Sequence, residues 1–542
     1  MSALFRHSLW LDHRGWRGRF IGFVIGGLAV LGQAPLHIWP LTFLALALLF
    51  LRLQEAAKTN SPKKSGFSAA FWFALGYFGI GVFWIGSAFI ARGPAFIPVM
   101  PPMILGLATL LALFWGAAGA LFARKKLRGP FAQFAFIGFF TLAELVRGHA
   151  FGGFPWNLPG YIFPAGHSFS QAASLWTIYG QTLLVFGLSA ALASLFLYQR
   201  KVLSGLIVLI GFGGLYGFGT WRLNTAALGV QPDIRLRIVS VPFNQADKFD
   251  PEKSFNIVND FLTQSVADAD ALKDVTHIIW PEGAVTGLAM DDEYLLAAMG
   301  RELSYRLNDN FPVWIFNSLR LEKRPHPETG RVINDYYNAS VAVEFDDKGN
   351  PAIAGYNDKT RLVPFGEFIP FGKWMESQNV PVISTTLLSI SAAPKKTLMT
   401  FPKLPVGSSQ LCYEIIFPGL TPKPKTKNGP RAQFILNQSN DAWFGKSWGP
   451  AQHANIARYR SIEEGLPLIR AASNGQSAVI NPYGQIVKEV PQDNAGYIDV
   501  ALPMAISPSQ KSNRTIFFLF LINLLISICC VTLGRVHEGR AP

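Results

Sequence analysis

Hydrophobic and polar positions divide this chain into two regimes. Between residues 19 and 220, long apolar runs follow one another at about 19–35, 37–53, 67–91, 97–122, 131–149, 171–198 and 202–220. Each approaches the ~20 residues that an α-helix needs to cross the hydrocarbon core of a bilayer. The pattern therefore predicts seven spans, of which the first two flank Pro35 and can form a tight hairpin. From about residue 228 the period changes. Residues 234–241 alternate like a strand, and short apolar runs at 277–280, 313–316, 339–343, 434–436 and 478–480 are separated by helix-patterned stretches. That is the signature of an α/β domain with a buried sheet. A last apolar run, 516–533, lies between Lys511 and Arg514 on one side and Arg535 and Arg540 on the other, and reads as an eighth span. The expected organisation is a membrane bundle over 1–227, an α/β domain over 228–507, and a C-terminal span with a short tail over 508–542.

Charge supports the layout. Arg6, Arg14, Arg17 and Arg19 precede the first span; Lys58, Lys63 and Lys64, then Arg124, Lys125, Lys126 and Arg128, then Arg200 and Lys201 fill alternate connections. The intervening connections hold Arg92 and almost nothing else basic. Excess Lys and Arg marks the cytoplasmic side, which predicts cytoplasmic termini and an α/β domain outside the cytoplasm. The arginines before Phe20 also fit a signal peptide. No small-residue cleavage site follows, however, and a second apolar run begins almost at once. Half of the residues are hydrophobic, with 44 Phe and 14 Trp but only 15% charged, which sets the chain apart from soluble enzymes. The net charge of +14 sits in short loop clusters rather than along one face, so nucleic acid is not an expected partner.

With three cysteines and no CxxC or HExxH spacing, neither a disulfide scaffold, nor a metal, nor a cofactor is expected. Cys529 and Cys530 lie in the last apolar run, whereas Cys412 has polar and charged neighbours and reads as the end of a short buried strand. A cysteine there is ordinarily a small buried hydrophobe; as a thiolate it attacks carbonyls. Two other stretches give it company. Trp280-Pro281-Glu282-Gly283 places a carboxylate after an apolar run, and the stretch from Tyr356 to Glu367 offers Lys359 and a second carboxylate. A carboxylate can take the proton of a thiol, and an ammonium can stabilise both a thiolate and the oxyanion formed at an attacked carbonyl. In the bundle, Glu144 and Arg147 are one helical turn apart and read as a local ion pair orienting the loop after them. That loop, residues 152–161, is punctuated by Gly and Pro and rich in aromatics.

The three reactive stretches in this order resemble the nitrilase (carbon–nitrogen hydrolase) superfamily over about 228–505, with Glu282, Lys359 and Cys412 at the triad positions. The flanking spans, the Phe154-Pro155-Trp156 loop, the residues from Leu362 to Glu367 and those from Asn440 to Gly445 narrow the resemblance to the apolipoprotein N-acyltransferase family. That resemblance implies a polytopic α-helical bundle carrying a nitrilase-like αββα sandwich in the bacterial inner membrane, with the sandwich facing the periplasm. It implies a monomer without cofactor or metal, and a ping-pong transfer. Cys412 takes an acyl group from a phospholipid, typically phosphatidylethanolamine, and passes it to the α-amino group of a diacylglyceryl-cysteine on an apolipoprotein. Glu282 is then the base, Lys359 the oxyanion donor, Glu367 and Glu414 supporting carboxylates, and Tyr413 a neighbour of the acyl chain. Trp443, Phe444 and Trp156 are expected to shield the thioester, while Asn440 and Asp441 read as loop formers. The rival readings are a membrane-bound amidase of the same superfamily, with water as acceptor, and a transporter with a non-catalytic binding domain. The transporter requires charges along an intramembrane pathway, and Glu144 and Arg147 are the only obvious ones.

Overall fold

The computed structural model describes residues 15–507 apart from 125–126, 128, 198–200, 326–329, 331, 369–389, 425 and 427–428, together with 518–519, 521–523 and 525. The described residues fall into two compact units. One holds the residues up to Ala226 and takes up Phe444–Glu464; the other consists of Ala227–Trp443 and Gly465–Ser507.

The first unit is helical: α1 (Gly15–Ala29), α2 (Trp39–Ala56), α3 (Pro62–Gly81), α4 (Met100–Arg124), α5 (Gly129–Arg147), α6 (Ala173–Leu197) and α7 (Lys201–Asn224). Prolines open α2 and α3, where a missing N–H leaves no helical hydrogen bond unmade. Helices in lipid gain nothing from hiding apolar surface, so close approach of small residues decides their packing. Gly22 and Gly26 of α1 lie against α3, and Gly76 of α3 lies against the backbone of Phe23; a Cβ at Gly26 would overlap the Phe73 carbonyl oxygen. Gly66 of α3 and Gly119 of α4 meet in the same reciprocal way. Glu144 and Arg147 form a fully buried ion pair. The Trp115 indole donates to Glu144, and Arg147 donates to the Phe154 carbonyl, which ties down the loop after α5.

Among the described residues five helices are long and apolar enough to cross a membrane, or six if Pro62–Gly81 and Phe83–Ala91, bent by 47°, make one span. The expected count of eight is not reached among the described residues. The first expected span is covered by a helix of only 15 residues followed by one 3-10 turn, and the run 516–533 falls largely outside the described residues.

The segment taken up by this unit contains the helix Gly449–Glu464. Its polar side chains satisfy backbone and indole groups of the bundle. Asn455 accepts from Ala165 N at 2.9 Å and donates to Tyr161 O at 3.1 Å. Glu463 accepts at 2.7 Å from Ile178 N, which is freed because Thr177 (φ 61°) breaks α6.

The second unit holds two sheets. Six strands, β1 (Val230–Ser240), β2 (His277–Ile279), β3 (Val313–Pro325), β4 (Val332–Phe345), β5 (Pro351–Asp358) and β11 (Gly496–Pro503), pair in the order β11-β1-β2-β3-β4-β5. Five, β6 (Ser408–Ser409), β7 (Ile435–Asn440), β8 (Leu468–Ser473), β9 (Ser477–Ile480) and β10 (Ile486–Val490), pair as β10-β9-β8-β7-β6. Within each sheet three neighbouring strands, β1-β2-β3 and β6-β7-β8, run parallel. Leu236, Ile238, Ile279 and Ile315 of the first sheet pack on Leu436, Ile469, Ala471 and Val479 of the second. On the other face of the first sheet, Phe261 of α8 (Pro251–Ser265) and Met299 and Leu303 of α9 (Glu293–Ser304) cover Trp280, Trp314 and Phe316. Parallel neighbours need a long crossover, and for β7 and β8 it contains the helix that the first unit takes up.

Candidate active site

Three short connections at strand ends carry the reactive groups. β2 ends at Ile279, and after it Gly283 (φ 85°) turns the chain so that Glu282 is presented from a tight loop; Glu282 O accepts from Ser473 Oγ at 3.0 Å. β5 ends at Asp358, and Lys359 N donates to Asn338 O at 2.8 Å, which fixes the lysine beside β4. β6 has only two residues and stops at Ser409, so Cys412 lies beyond the strand rather than at its end, at the start of the 3-10 turn Cys412–Ile416. There it adopts φ 45°, a left-handed conformation uncommon outside glycine, of the kind that functional sites hold under strain.

The side chains form a connected polar network. Lys359 Nζ, almost fully buried, donates to Glu367 Oε1 at 2.8 Å and lies 3.7 Å from Glu282 Oε1. Asn338 Nδ2 donates to both carboxylates, to Glu282 Oε1 at 2.9 Å and to Glu367 Oε1 at 3.0 Å. Asn338 is oriented by Asn317 Nδ2, which donates to its Oδ1 at 2.5 Å. The other oxygens are held by backbone: Asn440 N donates to Glu282 Oε2 at 3.1 Å, and Val363 N to Glu367 Oε2 at 2.8 Å. Ser439 Oγ donates to Cys412 Sγ at 3.6 Å.

Electrostatics gives each group a protonation state. Burial pushes the Cys412 thiol well up, the charge of Glu282 pushes it further, and Lys359 opposes both. Burial alone would lower Lys359, but Glu367, Glu282 and the sulfur outweigh it and hold the ammonium above its usual range. The resting pair is thus a neutral thiol and a permanent cation, and the thiol needs a base to lose its proton.

Glu414 is built differently. It is fully buried, accepts from Leu411 N at 2.9 Å, Thr360 N at 2.8 Å, Thr360 Oγ1 at 2.7 Å and Arg361 N at 3.1 Å, and pairs with Lys396 at 2.6 Å. Burial would raise its carboxyl, but Lys396 and the Thr360 donors outweigh burial and hold it below the usual carboxylate range. Glu414 therefore staples the Lys359 connection to the Cys412 turn. Tyr413 stands edge-on to Phe417, ring centroids 5.1 Å apart, and burial pushes its phenol up.

Glu282, Lys359, Glu367 and Cys412 come together in this unit, with Glu414 and Tyr413 beside them. Trp443 is the last residue of this unit before the crossover. Phe444 and Trp156 belong to the first unit, where both rings pack on Trp84 at centroid distances of 4.5 and 4.7 Å. Asn440, the last residue of β7, accepts through Oδ1 from Ala442 N at 3.2 Å, and Asp441 pairs with Arg470 of β8 at 2.6 Å. Asn338, Asn317 and Lys396 escaped the sequence reading. Asn338 left one usable signal, a polar residue beside the fully apolar-or-small run 339–343 that alternation would otherwise fill with a hydrophobe.

Two family models match the chain: the apolipoprotein N-acyltransferase N-terminal domain over residues 25–191, and carbon-nitrogen hydrolase over 241–507. A Caulobacter vibrioides protein named apolipoprotein N-acyltransferase is 32% identical over 543 residues, covering 98% of this chain and 97% of its own. The chain belongs to the apolipoprotein N-acyltransferase family. Relatives of the same name from Rhizobium rhizogenes, 32% identical over 96% of both chains, and from Rhodopseudomonas palustris, 31% identical over 91% of both, agree. An amidase from Nesterenkonia sp. overlays on 53% of this chain and 95% of its own, at 13% identity and a TM-score of 0.32. The carbon-nitrogen hydrolase match contains the stretches that carry Glu282, Lys359 and Cys412, and the N-terminal-domain match spans α2 to α5 and most of α6.

Proposed function

We propose that this protein is an acyltransferase that N-acylates the N-terminal diacylglyceryl-cysteine of lipoproteins, using a membrane phospholipid as donor and Cys412 as a covalent relay. In the first half-reaction Glu282 takes the thiol proton, and Sγ attacks the ester carbonyl of the phospholipid, typically phosphatidylethanolamine. Charge develops on the carbonyl oxygen, where the Lys359 ammonium stabilises it. The ester C–O bond then breaks, Glu282 returns the proton to the departing alcohol, and a lysophospholipid leaves behind an acyl thioester. In the second half-reaction the α-amino group attacks that thioester and Glu282 takes its proton. The C–S bond breaks, an amide forms, and the proton passes to Sγ. Glu367 and Asn338 fix Lys359 and Glu282, Glu414 fixes the turn that carries the thiol, and Tyr413 lies beside the acyl chain. Trp443, Phe444 and Trp156 are assigned the shielding of the thioester from water.

The observation that carries this reading is the buried Lys359, held 2.8 Å from Glu367 and 3.7 Å from Glu282 while acting electrostatically on the sulfur of a left-handed cysteine. Apolar helices long enough for a bilayer give both lipid substrates a place to reside. The alternation of basic connections supports an inner-membrane protein with its α/β unit on the periplasmic side. The test is the intact mass of the purified enzyme after mixing with phosphatidylethanolamine and no acceptor. A fatty-acyl increment, absent from Cys412→Ala and removed by a diacylglyceryl-cysteine peptide, is expected. Steady release of fatty acid without an adduct would instead favour a hydrolase.

A further inference from the structure

Helices α1 and α3 run in the same direction, with Gly22 beside Trp72, Gly26 beside Phe73 and Tyr77, and Gly27 beside Ile80. Their N-terminal ends therefore lie together, and between them opens a groove of about 500 Å³. Its lining combines three cations, Arg19, Lys63 and Lys64, with Ser68 and the rings of Phe67, Phe71 and Trp72. The aromatic wall is ordered: Phe67 and Phe71 stack at 5.5 Å with planes 12° apart, and Trp72 stands edge-on to Phe71 at 5.8 Å. Among the described residues none of the three cations has a carboxylate within ion-pair distance. Glu55, at the end of α2, is engaged by Lys58 at 2.6 Å. All of these residues belong to the helical unit, so the chemistry assigned to the α/β unit uses none of them.

Basic residues at a span's end ordinarily set orientation and need no partner. Here they converge on one hollow whose other wall is aromatic, and a ligand filling it must be anionic at one end and apolar at the other. The geometry points to a binding site for an anionic glycerophospholipid such as phosphatidylglycerol, with its phosphate among Arg19, Lys63 and Lys64 and an acyl chain along Phe67, Phe71 and Trp72. Charge complementarity selects this occupant. A net negative headgroup gains from all three cations, whereas the ammonium of phosphatidylethanolamine would be set among like charges. The lipid is a bound component of the bundle rather than a substrate.

The test is native mass spectrometry of the detergent-purified full chain offered equal amounts of phosphatidylglycerol and phosphatidylethanolamine. Wild type is expected to retain phosphatidylglycerol preferentially. Lys63→Gln with Lys64→Gln is expected to lower that retention by about thirtyfold, or ~fivefold for each lysine near an anionic headgroup. Phe71→Ala is expected to lower retention of both lipids, and acyl transfer by the double lysine variant in phosphatidylethanolamine vesicles should stay at the wild-type level. The proposal is overturned if the lysine variant keeps the preference. It is equally overturned if Arg124→Gln with Lys201→Gln, an equal loss of charge elsewhere on the bundle, abolishes the preference to the same extent. Displacement of the lipid by glycerol 1-phosphate would also overturn it, because that would mark a site for a soluble phosphate.

Discussion

The side-chain amide of Asn338 donates at 2.9 Å to Glu282, the carboxylate assigned as the base, while the same nitrogen reaches Glu367 at 3.0 Å. One amide thus spaces two like charges around the Lys359 ammonium, and Asn317 fixes which end of the amide faces them. Replacing Asn338 by Ala is expected to lower kcat about a hundredfold, the scale for losing a positioned group at a charged centre, with KM nearly unchanged. Steady-state transfer assays with a lipopeptide acceptor measure the split. A rise in KM at constant kcat would place Asn338 in substrate binding instead.

Cys412 gives a prediction with a definite sign. Its thiol is raised by burial and by Glu282 and lowered by Lys359. Alkylation by iodoacetamide, followed by intact mass, should therefore be slow at neutral pH and still rising beyond pH ~9, past the titration of an ordinary thiol. Glu282→Gln removes a repelling charge and is expected to speed labelling at a given pH while abolishing turnover. Lys359→Met is expected to slow it. Equal labelling curves in all three proteins would show that neither charge reaches the sulfur.

Glu414 predicts stability rather than turnover. Glu414→Gln leaves the Lys396 ammonium buried without its carboxylate, a change that typically costs about 3–5 kcal/mol. The folded carboxyl is held below its usual range, so its contribution is complete above the unfolded value of about 4.3 and is lost as pH falls through the lower folded value. Thermal melts from pH 7 downward should show wild type losing its advantage over Glu414→Gln in the acid range. A constant difference across that range would contradict the assignment.

Glycine contacts in the bundle separate two kinds of position. A Cβ at Gly26 would overlap the Phe73 carbonyl, whereas one at Gly217 in α7 meets nothing within 4 Å. Gly26→Ala is expected to lower the yield of folded protein severalfold. Gly217→Ala should be neutral or slightly stabilising, by up to ~1 kcal/mol, because alanine restricts the unfolded chain. Size-exclusion profiles in detergent distinguish the outcomes.

Glu282 stood out because it follows the apolar run 277–280, whereas Lys359 and Cys412, preceded by polar residues, stood out only through the order of the three reactive stretches taken together. The turn geometry at Cys412 was not legible, since β6 is too short to leave a pattern and the apolar residues after the cysteine belong to a 3-10 turn. β8 was hidden for another reason. Arg470 interrupts Leu468–Ser473, and partners on another strand and its following turn, Asn437 and Asp441, the latter pairing with it at 2.6 Å, make a buried arginine tolerable in a central strand. Asn338 and Lys396 act through partners 56 and 18 residues away, and no local pattern encodes such distances. Five of the seven expected N-terminal spans coincide with single long apolar helices, because hydropathy reports length directly. The first is short because α1 gives way to a 3-10 turn just before Pro35, and the third is bent after Gly81.

The segment Phe444–Glu464 leaves the α/β fold after β7 and returns just before β8, having spent its polar side chains on the helical bundle. Residues 228–507 are contiguous in sequence but not self-sufficient. A soluble fragment cut at those boundaries would carry away a helix whose Asn455, Tyr459 and Glu463 are satisfied by groups left behind. The two halves of this protein are consequently poor modules for exchange. A graft onto another membrane anchor must bring Tyr161, Ala165 and Ile178 with it, or redesign one face of the crossover helix.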